Sequence, residues 1–234
     1  MTNTTTKTLT LTALCAALLC VLSPMSIPLP GGVPISLATL AAAFAGALLG
    51  AKYGTLSVLI YLLLGAFGLP VFAGYSGGFG SFVKPSSGYL IGYLFLAFLT
   101  GFIYHRFGRE QKGGQKYLLL FVAQLAGEVI LYIFGTAWFM YLMGAQGNAA
   151  MATLGGALGA CVIPFLPGDC AKMIAVCIVI PVLERALNAA GLAVKVASRV
   201  ILLIHFFSIQ KHPSHMARVL LSLGQEEESP FSRR

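Results

Sequence analysis

The chain has 234 residues, of which 58% are hydrophobic and 9% charged, with a net charge of +8 and a mean hydropathy of +0.87. So few charges cannot coat a soluble globule of this length, which excludes that class and leaves an integral membrane protein. The positive balance does not point to nucleic acid, because the cations stand at the ends of apolar runs, where they orient membrane helices.

The first apolar stretch, about residues 9–27, follows Lys7 and lacks a small-residue cleavage site, so it is expected to be a retained helix. Leu14 and Leu19 precede Cys15 and Cys20 where a lipidation site needs a small residue. Cys15, Cys20, Cys161, Cys170 and Cys177 all lie in apolar stretches without metal-ligand spacing and read as small hydrophobes. Pro24, Pro28, Pro30, Gly31, Gly32 and Pro34 then predict a turn. Apolar runs follow at about 35–50 and 55–69, punctuated by Lys52 and Gly54. Both are short for a hydrocarbon core that asks for about 20 residues. A Gly-rich loop occupies residues 70–87, and a full-length run covers about 88–107.

After a cationic segment at 105–116, a fifth run extends over about 117–143 and carries Gln124 and Glu128 on one helical face. An intramembrane carboxylate either carries protons or makes a buried structural hydrogen bond, and the structural role is expected because no second acid or histidine continues a relay. The Ala/Gly-rich stretch 148–163 is expected to be a short embedded helix, and a sixth run spans about 169–187. Arg106, Arg109, Lys112 and Lys116 mark one loop as cytoplasmic, whereas residues 140–167 contain no Lys or Arg. The expected fold is therefore an all-α bundle of about six transmembrane helices with both termini cytoplasmic. Residues 1–192 form its membrane domain, and 193–234 an interfacial cationic or disordered tail. His205, His212 and His215 in that tail lack the company of a metal site.

Asp169 and Lys172, just after Pro164-Phe165-Leu166-Pro167-Gly168, are the sharpest functional signal. Residues three apart share a helix face, and ionisable residues within a membrane segment are costly and usually mark a binding or transport path. The alternative is a helix cap at Asp169 with Lys172 snorkelling beside it. The chain has no H-E-x-x-H, G-x-S-x-G or phosphate-loop motif, so neither hydrolytic chemistry nor ATP hydrolysis is expected in it.

Four blocks, residues 34–40, 62–74, 86–93 and 164–172, resemble in order the signature blocks of the BioY family. That family consists of biotin-specific substrate-binding subunits of energy-coupling factor transporters. The resemblance covers about residues 9–190 and implies a six-helix fold that captures biotin from outside, with no cofactor. It also implies a transmembrane coupling subunit and cytosolic ATPases as partners. It assigns ligand contact to Asp169 and Lys172 and a binding-loop role to Gly74, Tyr75, Ser76, Gly77 and Gly78. Ala13 and Ala17 match the small-xxx-small face that meets the coupling subunit in related proteins.

Biotin combines a flat ureido ring, an apolar ring and a carboxylate tail, which suits an apolar pocket with a few placed polar groups. Glycines 74, 77, 78 and 80 are expected to bring backbone N–H groups to the ligand, with Phe72, Tyr75 and Phe79 as walls. One block departs from the family pattern, reading Val83-Lys84-Pro85-Ser86-Ser87-Gly88-Tyr89 where a Gly-Pro-Thr-Gly-Gly-Tyr run is expected, and adds a cation near the outer mouth. The alternatives are an ion-coupled carrier of another small carboxylate, dependent on Glu128, and a membrane scaffold that binds no ligand.

Overall fold

A computed structural model describes residues 2–28 and 32–190. The tail expected over 193–234, and Pro30 and Gly31 of the first turn, lie outside them. The described residues contain six α-helices: α1 (Thr2–Leu22), α2 (Ala38–Ala66), α3 (Ser87–Ile103), α4 (Gly114–Ala145), α5 (Leu154–Cys161) and α6 (Leu166–Ala189). A two-residue antiparallel ladder, β1 (Ser26–Ile27) with β2 (Ile35–Ser36), ties the α1–α2 connection together.

The bundle is built inside out relative to a soluble protein. On α4, Leu118, Val122, Leu125, Val129 and Ile133 are exposed at helical spacing, whereas Gln124, Glu128 and Thr136 are buried. Ile174, Ile178 and Val182 make the same exposed stripe on α6. In water that arrangement would leave a large apolar surface hydrated and bury polar groups at a cost. Lipid reverses the sign of the first term. Four helices are long and apolar enough to cross a membrane, 38–66, 87–108, 114–145 and 166–189, with a shorter apolar helix at Thr6–Leu22.

The first of these is not straight. Gly50 sits at φ 80°, ψ 175°, a conformation that only glycine adopts readily. A Cβ on Gly54 would stand 2.6 Å from the Cα of Gly46. Residues eight apart in a straight helix are separated by about 12 Å. The chain therefore reverses at Gly50, and residues 38–49 and 51–66 fold back on each other. The two apolar runs expected from the sequence are these two arms, of about 18 and 24 Å at 1.5 Å per residue.

The reversal sorts the bundle into two ends. At one end, His105 Nε2 lies 2.8 Å from the carbonyl of Ala47 and Arg109 lies 3.2 Å from His105 Nδ1. Glu184, near the end of α6, accepts from Lys116 Nζ at 2.7 Å and from Tyr104 at 3.0 Å, with Arg109 Nε at 3.5 Å. At the other end, Ser23 Oγ meets the Tyr61 hydroxyl at 2.6 Å, and Ser36 Oγ donates to the carbonyl of Ser23 at 2.8 Å. These contacts pin the end of α1 to the second arm of α2 and to β2.

The expected embedded helix within 148–163 is α5, eight residues and about 12 Å long. The sixth helix starts at Leu166, three residues before the expected Asp169, because Pro167 fits the first turn of a helix. The stretch 70–87 forms two 3-10 turns, Ala73–Tyr75 and Phe79–Val83, held by a bridge between Phe72 and Ser76.

Candidate binding site

Asp169 lies in the first turn of α6, and the helical repeat sets Lys172 on the same face. Lys172 Nζ stands 2.8 Å from Asp169 Oδ1, and both side chains are buried. The ammonium also donates to the carbonyl of Ser36 at 2.6 Å and to Thr39 Oγ1 at 3.1 Å, so its three protons are all engaged. Asp169 Oδ2 accepts from the Tyr132 hydroxyl, and Thr39 Oγ1 lies 3.4 Å from Oδ1. Neither alternative reading of this pair survives. Asp169 does not cap α6, which starts without a side-chain cap at Phe165, and Lys172 points inward instead of snorkelling.

Burying two charges is costly unless the pair is close and the remaining lone pairs and protons are satisfied. Here Ser36, Thr39 and Tyr132, from β2, α2 and α4, supply that satisfaction. The pair thereby ties three other elements to the start of α6.

The pair forms the floor of a partly open cavity of about 620 Å³, counting the space at its mouth. Val33, Phe72, Leu90, Leu131 and Phe165 supply its apolar wall, and Tyr89, Tyr93 and Tyr132 its phenols. Ser23, Ser36, Thr39, Ser76, Ser81, Ser86 and Lys84 add further polar residues to the lining. A smaller cavity behind the pair is bounded by Thr39, Gln124, Glu128, Asp169 and Lys172. Glu128 is buried there, and neither its Oε1 nor Gln124 Oε1 has a hydrogen-bond partner among the described residues. The structural hydrogen bond expected of Glu128 is absent at that oxygen, because the Gln124 amide donates to Leu120, Met173 and Cys177 instead.

Of the loop residues singled out in the sequence, Ser76 lines the cavity and Gly74, Tyr75, Gly77 and Gly78 do not. Gly78 N–H donates to the carbonyl of Gly65 at 2.7 Å and Gly74 N–H to that of Pro24 at 3.3 Å, so these amides shape the loop instead of facing a ligand. Phe72 is a wall as expected, whereas Tyr75 and Phe79 are exposed outside it. Ala13 and Ala17 are exposed on α1. Among the described residues no cluster of His, Cys, Asp or Glu is arranged to hold a metal ion.

Sequence reasoning missed Tyr132. Its signal was available, because Gln124, Glu128, Tyr132 and Thr136 recur every four residues and draw one polar stripe along an apolar helix. Glu184 was also missed; it is an acid near the end of an apolar helix, opposite a basic loop.

Apolar outward faces and a mostly apolar cavity floored by a satisfied Asp–Lys pair define a multi-pass membrane protein with a small-molecule site. A sequence model of the BioY family matches residues 1–189, and the chain belongs to that family. It is 36% identical over 174 residues to a biotin transporter BioY of Rhizobium etli, covering 72% of this chain and 88% of that one. The biotin transporter BioY of Rhodobacter capsulatus is 38% identical over 171 residues, again covering 72% and 88%. Among solved structures, the biotin S-component of an ECF-type ABC transporter superposes with a TM-score of 0.69 at 33% identity. It covers 79% of this chain and 94% of that one.

Proposed function

We propose that this chain is the biotin-binding subunit of an energy-coupling factor transporter in a bacterial cytoplasmic membrane. The observation that carries the reading is the cavity over Asp169 and Lys172 in a chain that matches the BioY family from end to end of its described bundle. A carboxylate offers about four lone-pair sites, and Lys172, Thr39 and Tyr132 use three of those on Asp169. One remains for a ureido N–H. Lys172 has no spare proton, so its role is to hold Asp169 in place, while Tyr93 and Ser86, whose hydroxyls donate to no group among the described residues, are the lining groups left to reach the ureido oxygen.

Six crossings follow if α1, the two arms of α2, α3, α4 and α6 each traverse the bilayer, with the short arms locally thinning it. The Gly50 reversal and the 104–116 loop share one end, which holds Lys52, Arg106, Arg109, Lys112 and Lys116. The positive-inside rule makes that end cytoplasmic, together with the start of α1 and the end of α6, and opens the cavity outward. The exposed Ala13 and Ala17 suit close approach of a coupling-subunit helix, and cytosolic ATPases supply the energy.

Titration of the detergent-solubilised chain with biotin by calorimetry tests the reading. Saturable one-to-one binding, abolished by Asp169→Asn, is expected. A folded sample that gives no binding heat with biotin, by calorimetry at several temperatures, overturns it.

A further inference from the structure

Three charged residues border the larger cavity: Asp169, Lys172 and Lys84. The first two neutralise each other on its floor, 2.8 Å apart. Lys84 is exposed at the rim, and among the described residues no carboxylate pairs with it. The wall therefore carries a residual charge of +1, and all of it sits at the mouth.

The backbone beneath that charge is fixed while the side chain is free. The Lys84 carbonyl accepts from Trp138 Nε1 at 3.0 Å and from the amide and hydroxyl of Ser87 at 3.1 and 2.8 Å. Pro85 follows, which restricts the conformation of Lys84 further. Such an anchor holds the root of a long cationic side chain at the cavity lip, while the ammonium remains able to swing over the opening.

We infer that Lys84 recognises the anionic end of the ligand and makes this chain favour a carboxylate-tailed molecule over its neutral-tailed analogue. The inference rests on the biotin reading, in which the ureido ring occupies the floor and the carboxylate tail points to the mouth. A ligand that is neutral at one end and anionic at the other matches a wall that is charge-balanced at the floor and positive at the rim. The contact is exposed and therefore screened by salt, so its contribution is a modest one of about fivefold in Kd.

The test compares biotin with biotinamide, whose tail is neutral, on the full-length chain and on Lys84→Gln and Lys84→Arg at low ionic strength. For biotin, Lys84→Gln is expected to raise Kd about fivefold, and Lys84→Arg to leave it near the original value. For biotinamide all three proteins are expected to bind equally, and added salt to erase the preference for biotin in the original chain. Equal weakening of both ligands by Lys84→Gln, or no change for either, overturns the assignment. Failure of the folded original chain to bind either ligand overturns the biotin reading itself.

Discussion

Replacing Lys172 by Met removes the ammonium and leaves the Asp169 carboxylate buried, with only Tyr132 and Thr39 to stabilise it. Breaking a buried pair by removing one partner costs about 3–5 kcal/mol, because the surviving charge has no counter-ion. The carbonyl of Ser36 also loses its donor. At about 2–4 °C per kcal/mol for a domain of this size, the melting temperature in detergent should fall by roughly 6–20 °C. Adding Asp169→Asn to Lys172→Met removes the stranded charge, so the double variant should regain much of that loss although it still fails to bind biotin. Intrinsic-fluorescence melting of the four proteins of this cycle, each paired with calorimetry, separates the two effects. A double variant no more stable than Lys172→Met, or a Lys172→Met protein that melts with the original chain, would refute the claim that the pair is a buried, mutually compensated unit.

Tyr132→Phe deletes a hydrogen bond to a buried carboxylate, worth about 1.5–3 kcal/mol, and should lower both the melting temperature and biotin affinity; unchanged values in both assays would exclude Tyr132 from the site. Glu128→Gln keeps the shape of a side chain whose Oε1 has no partner, so biotin binding should persist and ATP-dependent uptake with the coupling partners should continue. Loss of uptake with binding intact would instead favour ion coupling through Glu128. Glu184→Leu strands Lys116 and Arg109, each partly exposed, and frees the Tyr104 hydroxyl. A stability loss of about 1–3 kcal/mol, without change in Kd for biotin, is expected from thermal melting and titration because Glu184 lies at the opposite end from the cavity.

Membrane class, most helices and the Asp169–Lys172 pairing are legible in the chain because each depends on neighbours within one or two turns. Hydropathy reports the solvent a segment tolerates, and the helical repeat alone puts residues three apart on one face. The same local logic flagged residues 35–50 and 55–69 as short runs with a break between them. It did not show that the break is a reversal, since that depends on Gly50 at φ 80° and on the close approach of Gly46 and Gly54. In the glycine-rich loop, too, the local pattern leaves the partners of individual amides open. Its glycines suggest backbone N–H groups free for a ligand, but positive φ at Gly74 and Gly78 serves turns whose amides are satisfied by Pro24 and Gly65.

What tertiary structure alone decided is the company of the pair. Lys172 bonds Ser36 and Thr39, more than 130 positions earlier, and Asp169 bonds Tyr132 on a different helix. Lys84 reaches the rim of the same cavity from a loop between α2 and α3. Such meetings are set by how helices rotate and slide against one another. That register comes from packing many small and apolar side chains at once, and no window of the sequence contains it.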